Sequence, residues 1–288
     1  MPDAHRTGGG LPLPSLPKDS TDRNRTSPFA FTGTKFEFRA VGSSQSISFP
    51  ATVLNTIVAE SLDDLAEKIR AKGSKNINQA VFEVLKSEIR VIKPILFNGD
   101  NYTKAWEAEA GKRSLPNFKT TPAALGALAT DKALRLFEKY RVLTRVELQS
   151  RYIIYLDKYI KDLEIEVKCL GNICLDQVIP AAVDYQKRVA EAVIATKAAL
   201  GGAAVAAEAD LLKKVIRLVN TIYAGHKEIM AGMEAANAGH DEAKKAETLC
   251  EKIKPRMDAL RESVDELENL VDDERWPLPK FWEMLFIC

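Results

Sequence analysis

Three residues near the start of the chain, Arg25, Glu37 and Arg39, have the types and spacing to hold a metal ion and phosphoryl oxygens. Glu37 and Arg39 lie in Phe29-Ala30-Phe31-Thr32-Gly33-Thr34-Lys35-Phe36-Glu37-Phe38-Arg39, which alternates aromatic and charged residues after a Thr-Gly-Thr turn. Residues two apart on a strand share a face, so Lys35, Glu37 and Arg39 are expected on one side and Phe36 and Phe38 on the other. About 7 Å then separates Glu37 from Arg39, room for each to address its own partner around one bound polyanion. A carboxylate offers the hard oxygens that Mg2+ or Mn2+ prefers. Arginine's planar fork matches phosphate oxygens two at a time and keeps its charge whatever the site does. Arg25 sits in a polar loop ending at Pro28, where a rigid scaffold can aim it at the same cavity. An E-x-R pair on a strand equally fits a solvated edge with a cross-strand ion pair, worth under about 1 kcal/mol, and spacing alone does not separate the two.

The elements around this run are read from periodicity. A hairpin over 29–41 is followed by helix almost everywhere. Pro50 opens a helix to about Lys72, with Val53, Leu54, Ile57, Val58, Leu62, Leu65 and Ile69 recurring at three and four. Gly73 ends it, and Lys75 to Ile92 forms the next, with Val81, Phe82, Leu85, Ile89 and Ile92 as its apolar stripe. Pro94 stops that helix, Asn98-Gly99-Asp100-Asn101 is a turn cluster, and Trp106 is placed to anchor it. From Thr121 onward Leu134, Phe137, Tyr140, Leu148, Tyr152, Tyr155, Leu156, Tyr159, Ile160 and Leu163 form long amphipathic stripes of core type. Pro180 predicts a kink or break. After Gly201-Gly202, Leu211, Val215, Leu218, Ile222 and Ile229 mark one helix. Beyond the Asn237, Gly239 and Asp241 turn, Leu249, Ile253, Met257, Leu260, Val264, Leu267 and Val271 mark another. The alternating spacing of the second reads as a coiled-coil seam, so residues 207–271 are expected to form an antiparallel helical hairpin. The apolar tail from Trp276 to Ile287 is expected to dock on its own fold or on a neighbour.

Composition bounds the rest. The chain has 288 residues, 46% hydrophobic and 28% charged, enough for one large or two ordinary domains. Lys and Arg total 41 against 40 for Asp and Glu, so no long-range field draws nucleic acid or an anionic membrane. Neither is expected as a partner. Cys169, Cys174, Cys250 and Cys288 show no C-x-x-C spacing and are expected as reduced structural thiols. No apolar run reaches the length of a membrane helix and no secretory signal opens the chain, so a cytoplasmic location is expected. His5, His226 and His240 read as ordinary surface histidines rather than ligands. The Gly8-Gly9-Gly10 run, with no strand before it and no Gly-Lys-Ser/Thr after it, reads as part of a disordered or spurious lead over 1–20 rather than a phosphate cradle.

The run Asn24 to Ser46 resembles the corresponding segment of type III glutamine synthetases. The resemblance continues in order through IVAESLDDLA (Ile57 to Ala66), LFNGDNY (Leu96 to Tyr102), LPNFKTTPAAL (Leu115 to Leu125), ELQSRYIIYLDKYIK (Glu147 to Lys161), VIPAAVDYQ (Val178 to Gln186) and WPLPKFWEMLFI (Trp276 to Ile287). It covers the chain from about Leu16 to the end. Ordered blocks of this length are far more specific than a short motif.

The resemblance implies a glutamate-ammonia ligase that makes glutamine through γ-glutamyl phosphate, with ATP as co-substrate, Mg2+ or Mn2+ as metal, and a homo-oligomeric ring. It implies Glu37 as a metal ligand, Arg39 as the contact to glutamate and the transferred phosphate, and Arg25 as the group steadying the phosphoryl transfer. Thr34 departs from the Asn usual at that turn, and Asn tolerates the left-handed backbone better. The family's further Glu and His ligands, nucleotide pocket and flap have no counterpart here. The expected organisation is therefore the lead, a catalytic-domain remnant over 21–118, and a helical C-terminal domain over 119–288. The expected fold class is mainly α, with a short antiparallel β-hairpin left from the catalytic sheet, then a long-helix bundle with a coiled-coil hairpin. The fragment is expected to be inactive alone. A non-catalytic helical assembly module and another carboxylate-amine ligase are the alternatives.

Overall fold

The computed structural model describes residues 29–31, 36–38, 45–73, 75–96, 102–201, 205–280 and 283–285. The chain divides into two compact units, Met1–Asn117 and Phe118–Cys288. The lead over 1–20 and the 98–101 turn lie outside the described residues.

The expected fold class needs correction, because the architecture is helical and no sheet layer is built among the described residues. Extended pairing is confined to β1 (Phe29–Phe31) and β2 (Phe36–Phe38). These pair antiparallel with each other alone, Phe29 opposite Phe38, Ala30 opposite Glu37 and Phe31 opposite Phe36. A two-stranded ribbon of this length cannot hold itself together in water, so it does not act as the floor of a domain.

In the first unit, α1 (Ser48–Ala71) and α2 (Ile77–Ile92) form a helical hairpin. Gly73 takes a left-handed φ of 59°, which suits a residue without Cβ just past a helix end. Asn76 caps α2 by accepting the Asn78 and Gln79 N–H groups at 3.1 and 3.4 Å. The two helices close through small residues, with Thr56, Ala80 and Val84 buried, while Lys68 pairs with Glu88 at 2.8 Å. The stripes expected to be core are instead largely uncovered. Leu62 is 61% exposed and Phe82 61%, and Ile57, Val58, Leu85 and Ile89 are also exposed. Periodicity identified the apolar faces correctly, but these faces are not the ones the helices turn toward each other. α3 (Lys104–Lys112) follows. The Arg113 guanidinium stacks over Trp106 and donates to the Pro94 and Leu96 carbonyls at 3.3 and 3.0 Å, tying α3 to the end of α2.

The second unit is built on a long rod. α4 (Thr121–Gly126) and α5 (Asp131–Lys139) pack on the start of α6 (Arg145–Ile173). α6 begins with a full capping box: Glu147 N–H donates to Thr144 Oγ1 at 3.3 Å and Thr144 N–H to Glu147 Oε2 at 2.8 Å. The Thr144 hydrogen bonds hold the Glu147 carboxyl below the usual carboxylate range. The rod does not break at Pro180. It passes through a π-helical turn, Cys174–Val178, into α7 (Ile179–Leu200). Ile179 N–H donates five residues back to the Cys174 carbonyl, and the widened turn makes room for the ring of Pro180.

The chain returns along the rod as α8 (Ala206–Asn237) and turns again into α9 (Glu242–Thr248), a second π-turn (Leu249–Ile253) and α10 (Lys254–Glu268). The device recurs: Lys254 N–H donates to the Leu249 carbonyl immediately before Pro255. The helical hairpin expected over 207–271 is therefore one side of a three-helix bundle and does not stand apart. Val215, Leu218, Ile222 and Ile229 of α8 meet Leu249, Ile253, Leu260, Val264 and Leu267, and both pack on Leu156, Ile160, Leu163, Val167 and Val178 of the rod. Trp276 and the stem of Lys280 are buried on the same unit, with Lys280 Nζ donating to the Val271 carbonyl at 2.8 Å.

His226 is not at a helical turn. It lies within α8, half-buried, with its Nε2 where a Cβ on Gly171 would come within 2.8 Å. Gly171→Ala should therefore lower stability by about 1–2 kcal/mol, since overpacking outweighs the roughly 1 kcal/mol of helix propensity gained. In a His226→Ala background the same change should be neutral or stabilising. Urea denaturation midpoints of the four variants check this, and a loss of equal size in both backgrounds would assign the cost elsewhere.

Candidate functional site

Of the three residues that could do chemistry at the hairpin, Glu37 is among the described residues and Arg25 and Arg39 are not. Glu37 lies mid-strand in β2, half-buried, directly across from Ala30. Glu37 already takes part in an interaction. Among the described residues no group of three His, Cys, Asp or Glu side chains could hold a metal ion. Glu37 alone supplies one carboxylate, whereas Mg2+ demands an octahedral shell and usually takes one or two protein carboxylates alongside phosphate and water. The residues present are at most one corner of such a site, so no reaction step can be derived through a metal from this chain.

Two titratable groups of the helical unit, Cys174 and Tyr159, are perturbed by burial. Burial pushes the Cys174 thiol up to about 11. Burial, then a hydrogen bond with Cys250, raises the Tyr159 phenol well above its ordinary value. Neither environment activates a nucleophile, because both disfavour the charged form. The cysteines at 169, 174 and 250 are unbridged, with Cys169 exposed and Cys174 buried. Two clefts open on this unit, of about 670 and 470 Å3. The larger lies between the end of α8 and the row Lys244, Lys252 and Arg256. The periodicity of apolar positions that marks these helices carries no signal for those charges.

Residues 80–197 match the family model described as the glutamine synthetase C-terminal domain. The chain is 38% identical over 284 residues to the type-3 glutamine synthetase of Dictyostelium discoideum, covering 97% of this chain and 39% of that protein. It is 33% identical over 280 residues to a glutamine synthetase of Bacteroides fragilis (strain YCH46), covering 95% of this chain and 38% of the relative. A glutamine synthetase of Butyrivibrio fibrisolvens is 32% identical over 279 residues, with 93% and 38% covered. The chain is similar to glutamine synthetases along nearly its whole length. It spans about 39% of the length of the curated relatives it matches. The glutamine synthetase C-terminal domain match begins in α2 and ends in α7, so it takes in the closing helix of the first unit and the whole rod up to its last turn. No helix among the described residues is long and apolar enough to cross a membrane.

The thiol environments give a direct check on the packing of the rod. At pH 8 a small alkylating reagent should label Cys169 quickly and leave Cys174 untouched until denaturant is added, as read by mass spectrometry of the labelled peptides. Labelling of both at equal rates would place Cys174 outside the core.

Proposed function

We propose that this chain is the C-terminal part of an ATP-dependent glutamate-ammonia ligase. In that reaction the γ-phosphoryl group of ATP passes to the γ-carboxylate of glutamate, giving an acyl phosphate and ADP. Ammonia then attacks the acyl carbon, and phosphate leaves as glutamine forms. The observation that carries the reading is 38% identity across 97% of the chain to a type-3 glutamine synthetase. The uncovered apolar faces of α1 and α2 support it, because a contiguous apolar surface of this kind marks contact with another body.

Within the assembled enzyme Arg25 and Arg39 neutralise charge on the transferring phosphoryl group and on glutamate, a task for which the guanidinium fork is suited. Glu37 contributes one hard oxygen ligand to a divalent Mg2+ or Mn2+ ion, whose chemistry when bound is to draw charge from the phosphoryl oxygens. The remaining ligands and the nucleotide pocket belong to the part of the relatives that this chain does not span. The helical unit serves assembly into a homo-oligomer, and the enzyme acts in the cytoplasm.

The test compares the purified chain with the same chain joined to the N-terminal remainder of a type-3 relative. The chain alone should release no phosphate from ATP in the presence of glutamate and ammonia, and the joined protein should form glutamine. Turnover by the chain alone, or a joined protein that folds and stays inert, would reject the reading. In the joined protein Glu37→Ala should weaken metal-dependent activity by about tenfold or more, the loss that even an outer partner of a metal site produces. Circular dichroism should show the helices unchanged.

A further inference from the structure

Near the α8–α9 turn the helical unit carries a cleft of about 670 Å3 whose two sides differ in kind. Its floor is the last turns of α8 at Gly232, Ala235 and Ala236, with the tips of Ile253 and Arg256 lying over Gly232. Its wall is basic. Lys244, Lys252 and Arg256 line it, with Thr248 between them in the same row. Lys252 lies in the π-turn Leu249–Ile253 and Arg256 follows in α10, and both line the cleft.

What these three side chains share is that none is neutralised and all line one cleft. Many cations of this unit are matched by carboxylates, as in Lys158 with Asp162, Lys161 with Asp157, Lys254 with Asp258, Arg261 with Asp265 and Arg217 with Glu266. Among the described residues the ammonium groups of Lys244 and Lys252 and the guanidinium of Arg256 have no carboxylate within ion-pair distance. The other charges in the cleft are committed. Lys245 is held by Glu164 at 2.8 Å. Asp241 spends its carboxylate on the helix start, accepting the Ala243 and Lys244 N–H groups at 2.9 and 3.2 Å. His240 stands exposed at the rim.

We propose that this cleft binds a small phosphate-rich anion carrying at least two linked phosphoryl groups, of which inorganic pyrophosphate is the simplest. The volume is that of an ordinary small-ligand site. Arg256 can take two oxygens of one phosphoryl group through its fork, and Lys252, in the preceding π-turn, can take the next as a point charge. Lys244 supplies a third charge further along the row. The floor at Ala235 and Ala236 admits a ligand that would clash with larger side chains. This site lies in the helical unit, remote in sequence from Arg25, Glu37 and Arg39, and does not depend on the ligase reading.

Titration calorimetry of the 288-residue chain with sodium pyrophosphate at low salt tests the proposal. Saturable binding at one site is expected, accompanied by a rise in the thermal midpoint. Binding should weaken at least tenfold in the double variant Lys252→Ala, Arg256→Ala, and should weaken steeply as salt is raised. Lys187→Ala, which removes an exposed lysine outside the cleft, should bind as the unaltered chain does. Should the alanine variant lose helix by circular dichroism, Lys252→Gln with Arg256→Gln keeps the stems and serves in its place. No heat at millimolar pyrophosphate, or binding that survives in the charge-removed variants, overturns the proposal. So does an acidic peptide that binds the cleft when pyrophosphate does not, an outcome that would make it a protein-docking surface.

Discussion

The helical unit depends on one constraint: three long helices must bury a single shared apolar seam while packing so closely that side-chain tips of one helix lie over glycines of another. At Gly171 the rod meets His226, and at Gly232 a Cβ would fall 2.5 Å from Ile253 Cδ1. Each fully buried Leu, Ile or Val of the seam contributes about 1.5–3 kcal/mol, and that gain exists only while the helices stay in register. Register in turn requires that the rod and the returning segment run unbroken past Pro180 and Pro255. Both prolines follow a π-turn in which the preceding residue donates five positions back. The widened turns cost little in hydrogen bonding and preserve the seam, whereas a kink at either proline would part the helices near its middle.

Much of this was legible in the residues. The seam positions of α8 and α10 and most of those of α6 recur at three and four because burial on a helix demands that spacing, and they are the buried residues observed. The treatment of proline was not legible. Periodicity reports which face is apolar, not how many residues a turn contains, and an extra residue in a π-turn shifts the phase only locally. The first unit fails in another way. Leu62, Phe82 and Ile89 announce apolar stripes as clearly as anything in the bundle, yet they are exposed. A stripe shows that something covers it and not what. The contact α1 makes with α2 uses Thr56, Ala80 and Val84, small residues with little weight in any hydrophobic pattern.

The candidate site divides along the same line. That a carboxylate two residues from an arginine on a strand can serve a metal and a phosphate follows from residue chemistry, but a solvated edge has the same pattern. The match across 97% of the chain to a type-3 glutamine synthetase is a property of the whole chain and does not by itself choose between the two. Position alone would leave Glu37 a half-buried strand residue opposite an alanine. Metal chemistry is a property of a set of ligands, and a set cannot be read from one member.

Charge offers the complementary lesson. A formal net charge of +1 argues against any long-range field, and the reading that the chain draws no polyanion at a distance follows from it. Net charge, however, is a sum, and binding responds to arrangement. Many cations of the helical unit are quenched within a turn or across one helix contact, which leaves the surface close to neutral where the pairs occur. Lys244, Lys252 and Arg256 are not quenched, and they stand on one wall of a cleft whose opposite side is the end of α8. Low-dielectric walls focus the field of such a group, so a chain with almost no net charge can still hold a strong local potential over the width of one cleft.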